Sequence, residues 1–376
     1  MERHDINSSR GGGLMIGCVV AAIVALLVVL LIGAIVSMWL RAPGKIPPSD
    51  AFLRPDCTAY LIAKLDPTEK GVLSLLQKIE VEIDKKIAES GAQPRFPFGA
   101  RRARNPIKSL MGFMPLQLVA CETDEDGENV VTIIVSAARG KGWVKWTLWS
   151  LRREAGSPRS NIEKEDYRNG EIFLFREQET DSEKEPFPET YVSLIGTTAV
   201  LSRRREPVEA VLDAIASPPK SYSGPEQFEE LFLLVQNKGQ ICGVGKGDSE
   251  IAKWLLHTNA QDTEEAPLLT GNEIVGWHIK IASADKFEFG GKVVCRDEAS
   301  AKEVLARIQR RLEKGVRVAR VASQHIRTEG KFVSFQFEIV GIESAIEQWF
   351  ENINHGKNDR SQTDADNRPQ GGTPSD

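Results

Sequence analysis

Residues Ile274 to Cys295 read IVGWHIKIASADKFEFGGKVVC, two apolar-alternating runs around a short polar turn. Val275, Trp277, Ile279 and Ile281 recur at every second position of Ile274–Ala282, the period of a strand with one buried face. Lys286–Cys295 returns after the turn, so the pair reads as a hairpin and the sheet it belongs to as antiparallel. Downstream, Ser300 and Glu303 form a capping box before Val304, Leu305, Ile308 and Leu312 at helical spacing, and Gly315 suits the helix end. A further hairpin, Val321–Arg327 with Lys331–Val340, alternates Val333, Phe335, Phe337 and Ile339. The closing helix sets Ile342, Ala345, Ile346, Trp349, Phe350 and Ile353 on one stripe. Upstream, Ile241–Gly245 is strand-like and Ser249–Leu256 helix-like after Asp248.

The first half of the chain has the same rhythm. Ala59, Leu61, Ala63 and Leu65 line one strand face, and Asp66 with Pro67 and Glu69 signals the helix start that follows. Val72, Leu76, Ile79, Ile83 and Ile87 share its apolar face. Leu116–Thr123 and Asn129–Ala137 pair through Asp124-Glu125-Asp126-Gly127. A helix follows, with Val144, Leu148 and Leu151 on one side. A second hairpin turns at Asn169-Gly170, where both residue types tolerate positive φ. A third, Tyr191–Ile195 with Ala199–Ser202, bends at Gly196, and a helix from Pro207 carries Val208, Val211, Leu212 and Ile215. A short helix with Phe228, Leu231 and Leu234 then leads to the second half. The predicted fold class is α+β: antiparallel sheets covered by helices, in two repeated units. The units span 55–217 and 239–355, joined by a connecting segment at 218–238.

What precedes these units sets their surroundings. Leu14–Leu40 (LMIGCVVAAIVALLVVLLIGAIVSMWL) contains no charged residue. As a helix it would reach about 40 Å, more than the ~30 Å hydrocarbon core of a bilayer requires. It is too long for a signal-peptide core, and Ser37-Met38-Trp39-Leu40 offers no small-x-small cleavage site. The expectation is an N-terminal single transmembrane helix over 14–40, after a polar tail at 1–13 and before a Pro/Gly-rich linker at 41–54. Arg3 and Arg10 on one side nearly balance Arg41 and Lys45 on the other. The short tail favours a cytoplasmic N-terminus and an inner-membrane, single-pass protein with its large C-terminal part outside the cytoplasm. Gly356–Asp376 is polar and reads as a disordered tail.

The chain has 376 residues, a formal charge of −5 and 41% hydrophobic residues, which argues against a nucleic-acid partner. Outside the apolar run stand Cys57, Cys121, Cys242 and Cys295, with no C-x-x-C spacing. Their even number permits disulfides; isolated cysteines in strand-like runs also read as small buried hydrophobes. The opening Arg54-Pro55-Asp56…Tyr60…Asp66-Pro67, with the apolar run before it and the hairpin-helix rhythm after it, resembles an uncharacterised bacterial family of membrane-anchored domains of unknown function. The resemblance implies an extracytoplasmic location and transfers no activity and no catalytic residue.

No motif names a catalytic, cofactor or metal residue. Gly243-Val244-Gly245-Lys246-Gly247-Asp248-Ser249 sits between a strand and a helix, but a Walker loop needs glycine where Gln240 stands, so a glycine turn with an N-cap is expected. Asp124-Glu125-Asp126-Gly127-Glu128 lacks the twelve-residue calcium loop and reads as a turn. His257, His278, His325 and His355 share no metal spacing, and His278 falls out of phase with the apolar face, as an exposed polar residue would. Glu165/Asp166 is a common kind of carboxylate pair. Arg101, Arg102 and Arg104 suit anionic headgroups. Trp143, Trp146 and Trp149, with Lys141, Lys145, Arg152 and Arg153, have the composition of an interfacial helix. The regular Val144–Leu148–Leu151 stripe instead favours tryptophans that add to a core. The functional expectation is a non-enzymatic binding or scaffold protein with a bilayer partner through Leu14–Leu40 and a protein or ligand partner outside the cytoplasm. The alternative is a membrane-tethered hydrolase with a site assembled across strands.

Overall fold

A computed structural model describes residues 43–90, 111–125, 127–157, 160–168, 170–176, 189–219, 222–256, 268–313 and 320–347. Its centre is β1 (Cys57–Leu65), in which Ala59, Tyr60 and Ile62 are all buried, so the strand is covered on both faces. One edge of β1 pairs with β2 (Leu116–Glu125), the other with β8 (Ile241–Lys246). From β2 the sheet runs through β3 (Glu128–Ala137), β7 (Thr198–Ser202), β6 (Thr190–Ile195) and β5 (Gly170–Phe175) to β4 (Ile162–Tyr167). From β8 it runs through β9 (Ile274–Ile281), β10 (Lys286–Val294) and β12 (Phe332–Val340) to β11 (Arg320–Glu329).

All twelve strands therefore form one antiparallel sheet. This corrects the predicted α+β class with its separate sheets in two repeated units: a single large sheet dominates, and the helices play the lesser part. The reason lies in the pairing of Ala59–Ala63 with Ile241–Gly245, which fuses two runs of strands that no local pattern links. The transmembrane helix predicted over Leu14–Leu40 lies outside the described residues. Among those described, no helix is long and apolar enough to cross a membrane. The arginines at 101, 102 and 104, His257, Gly315, His355 and the tail 356–376 also lie outside them.

Helices close both faces. A 3-10 turn at Ser49–Phe52, α3 (Arg205–Ala216) and α4 (Glu226–Val235) bury Phe52, Val208, Leu212, Phe228 and Leu231 against Tyr60, Ile62, Val119 and Val200. On the other face, α5 (Glu250–Leu256) and α6 (Glu298–Glu313) bury Ile251, Ala252, Val304 and Ile308 against Ala59, Val275, Trp277 and Phe335. Helix α1 (Lys70–Ser90) adds Val72 and Leu76 over Ile281. Helix α2 (Lys141–Ala155) leans on β4 and β6 and buries Val144. The two edge strands carry charge: Glu163, Lys164, Glu165 and Asp166 on β4, Arg320, Arg327 and Glu329 on β11. Charged edges discourage pairing with further chains.

Several local expectations shift by a residue or a role. The tight hairpin pairs Tyr167 with Gly170, so its two-residue loop is 168–169, and Arg168 takes the positive φ of 46°. Helix α6 is capped by Asp297, whose Oδ1 accepts the Ser300 N–H and Oγ–H, both at 2.8 Å, in place of the Ser300/Glu303 box. Cys57 and Cys121 form a disulfide with a Cα–Cα distance of 6.2 Å, which corrects the small-hydrophobe reading for that pair. Cys57 faces Thr123 and Tyr60 faces Cys121, so both thiols project to one side of β1–β2, across an irregularity between Cys57 and Ala59. Cys242 and Cys295 are free, and burial pushes both thiols up to about 11.

Candidate ligand-binding cleft

At the β11 end, one face of the sheet is left open beside α4. The strand register sets out its floor as two rows across four strands. His278 on β9 faces Gly290 on β10, which faces Gln336 on β12, which faces His325 on β11. Two residues along, Gly276, Lys292, Ser334 and Arg327 form a parallel row. Because side chains alternate along strands, both rows project to the same face. Leu234, Val235 and Lys238 form the wall, and the cleft has a volume of about 930 Å³. That size suits a small organic ligand.

The glycines give the floor its depth. A Cβ on Gly290 would stand 2.7 Å from the His278 ring, so the imidazole lies over the strand where a side chain would be. A Cβ on Gly276 would stand 3.0 Å from Leu231, which is how closely α4 approaches β9. His278 is thus partly buried rather than exposed as the strand phase suggested. Burial, and then the Lys238 ammonium, hold its pKa below the ordinary value, against the opposing pull of Glu288. Its Nδ1 is buried with no hydrogen-bond partner.

The cations here are little committed. Lys292 Nζ lies 3.9 Å from the Phe332 ring centroid and 3.8 Å from Glu230 Oε1, a carboxylate that is itself 87% exposed. Among the described residues, the side chains of Lys238, His325, Arg327, Ser334 and Gln336 have no hydrogen-bond or ion-pair partner. The next row outward differs: Lys280 is paired with Glu288 and Lys286 with Glu338. Ion pairs are therefore made just outside the cleft, whereas among the described residues Lys238, Arg327 and Glu329, which line it, have no ion-pair partner.

The other sequence candidates are structural. Gly243 and Gly245 are not a turn; they lie inside β8, and a Cβ on Gly243 would stand 2.5 Å from the Trp277 ring and 2.7 Å from the Tyr60 carbonyl. Ser249 caps α5, its Oγ accepting the Ala252 N–H at 3.2 Å. The same helix end is held by Glu122, fully buried on β2, whose two carboxylate oxygens accept the Glu250 and Ile251 N–H groups at 2.9 and 3.0 Å. Asp124 and Gly127 make the β2–β3 turn, with the Gly127 N–H donated to Asp124 Oδ1 at 3.0 Å. Glu165 pairs with Arg205. Among the described residues no three His, Cys, Asp or Glu side chains could hold a metal ion.

The tryptophans of α2 depart furthest from expectation. Trp143, Trp146 and Trp149 are 37%, 48% and 55% exposed, so they do not add to the core. The Val144–Leu148–Leu151 side turns inward, and Trp146 and Trp149 point away from it.

Sequence reasoning missed the cleft because its members come from four strands, the end of α4 and the loop after it, segments far apart in the chain. The one available signal was Gly290-Gly291 inside a strand, since glycine there often marks a close approach or a ligand. No family model, no curated protein and no solved structure matches this chain.

Proposed function

We propose that the protein is a non-enzymatic, membrane-tethered binding module that holds a small anionic ligand in the cleft between α4 and β9–β12, outside the cytoplasm. The observation that carries this reading is the buried, unpartnered Nδ1 of His278 in a cleft whose Lys238 and Arg327 have no acidic partner among the described residues. A buried polar atom without a partner is costly, and a ligand or its water would supply one. Cations flanking a neutral imidazole and the Ser334 and Gln336 side chains favour a carboxylate or phosphate group. Two further features support the location. The Cys57–Cys121 disulfide suits an oxidising compartment, and the uncharged run Leu14–Leu40 suits contact with a bilayer.

The test is thermal unfolding of the full chain in detergent with citrate or inorganic phosphate. A ligand bound only by the folded state raises the midpoint with concentration. Lys238→Gln with Arg327→Gln removes that rise, whereas Lys302→Gln on α6 leaves it intact. No rise with either anion, or an equal rise in the cleft variant, refutes the reading.

A further inference from the structure

We propose that the outward face of α2 lies on the headgroup layer of an anionic bilayer, next to the point where the chain enters it. The proposal rests on the tether through Leu14–Leu40 stated above and adds a second, separate contact.

Three indoles at positions i, i+3 and i+6 stand 37–55% exposed on one helix. Water is a poor environment for such a row, whereas the ring body and N–H of tryptophan both find partners at the headgroup level. Lys145 and Arg153 flank Trp149 one turn to either side, so base and indole share the outward surface. The helix has no acidic residue before Glu154. Arg152 is engaged by Glu171, and Arg153 lies 5.7 Å from the Trp149 ring centroid. Lys141 and Lys145 have no partner among the described residues. An apolar row edged with cations is the pattern of a helix that rests in the interface plane.

Geometry selects the bilayer over a protein partner. Pro43, three residues after Leu40, forms a β-bridge with Arg139, and the Gly44 N–H donates to the Ala138 carbonyl at 2.8 Å. Gln117 Nε2 holds the linker again at the Pro47 carbonyl, 3.1 Å away. The linker is therefore docked onto the segment that leads directly into α2, which starts two residues after Arg139. Three residues of chain span at most roughly 10 Å. The end of the uncharged run thus lies within about that distance of Pro43, which is bridged to Arg139, and α2, ~22 Å long, starts two residues after Arg139. A tether at Leu40 delivers this helix to the membrane surface.

The experiment uses the full chain reconstituted into vesicles of phosphatidylcholine with phosphatidylglycerol, some of the lipid brominated on its acyl chains near the headgroup. Flotation reports the tether, and quenching of tryptophan fluorescence reports contact. Of the seven tryptophans, Trp39 serves as the internal reference for the tether. The proposal expects the wild type to float and Trp143→Phe/Trp146→Phe/Trp149→Phe to float equally while losing most of the quenching. Trp146→Phe/Trp149→Phe, which leaves the Trp143–Phe113 contact intact, should lose a large part of it. Lys141→Gln/Lys145→Gln should weaken quenching in these vesicles towards the level seen in phosphatidylcholine alone. Flotation with quenching unchanged by the tryptophan substitutions overturns the α2 contact and leaves the tether standing. Equal quenching with and without phosphatidylglycerol overturns the anionic preference. Failure to float overturns both.

Discussion

Removing the Glu122 carboxylate should loosen α5 and weaken the join between the two ends of the sheet. Glu122 is fully buried on β2, and its two oxygens accept N–H groups from Glu250 and Ile251 at 2.9 and 3.0 Å. Those are among the first donors of α5, which have no partner within the helix itself. A hydrogen bond to a charged group contributes about 1.5–3 kcal/mol, and Glu122→Ala loses two of them. The expected loss is about 3–6 kcal/mol, or a fall of roughly 4–8 °C in midpoint for a chain of this length. Glu122→Gln keeps the volume and one acceptor, and turns an NH₂ group towards the other donor, so it should lose about half as much. Comparing the two variants separates the lost hydrogen bonds from the lost packing. Thermal unfolding gives the total, and amide hydrogen exchange across 250–256 gives the local part. A Glu122→Ala midpoint unchanged from wild type, or α5 amides that exchange no faster, would refute the reasoning.

Gly243→Ala brings a Cβ to 2.5 Å from the Trp277 ring and 2.7 Å from the Tyr60 carbonyl, and overpacking of this kind costs about 1–3 kcal/mol. Near-ultraviolet dichroism should register the displaced indole; an unchanged spectrum and midpoint would mean that the strand relaxes freely. Cys57→Ser/Cys121→Ser opens a loop closed between residues 64 apart, for which loop-closure entropy predicts a loss of about 4 kcal/mol. Denaturant unfolding should place the double variant with the reduced wild type, and a stability equal to the oxidised form would count against the cross-link. The hydrogen bonds from the Ser300 N–H, then the Ser300 hydroxyl and Arg296, hold the Asp297 carboxyl at about 2. The folded pKa lies below the unfolded one of about 4, so this cap's contribution is present above pH 4 and fades as pH falls towards 2. Asp297→Asn should flatten that part of the acid unfolding profile, and an unaltered slope would show that the cap does not titrate with folding.

Hairpins were legible in the sequence because their determinants are local. Val275, Trp277, Ile279 and Ile281 set the face of β9, and Gly127 and Gly196 mark turns with φ of 83° and 62°. The Asn169-Gly170 signal found the right hairpin and missed its loop by one residue, since a dipeptide preference does not fix register. The single sheet was not legible. Nothing in Ala59–Ala63 distinguishes pairing on one edge from pairing on both, and its second partner comes from the other half of the chain. The tryptophans were misread because the Val144–Leu148–Leu151 stripe shows that α2 packs, but not how wide a stripe the sheet rim can cover. The cleft depends on cross-strand rows such as His278–Gly290–Gln336–His325, which exist only once four strands are in register.

The junction of β1 with β8 has a consequence for how the chain is made. Until Ile241–Gly245 has been synthesised, Ala59–Ala63 lacks its second row of hydrogen bonds. Unlike β4 and β11, that waiting edge reads Ala-Tyr-Leu-Ile-Ala and carries no charge to repel a stranger. A nascent first half is therefore adhesive, and folding ends with a contact between segments far apart in the chain, the slow kind of closure. Two half-folded copies could complete each other reciprocally, each lending its β8 to the other's β1, with every backbone bond of the monomer preserved. High concentration during refolding would favour that exchanged dimer, and dilution the single chain.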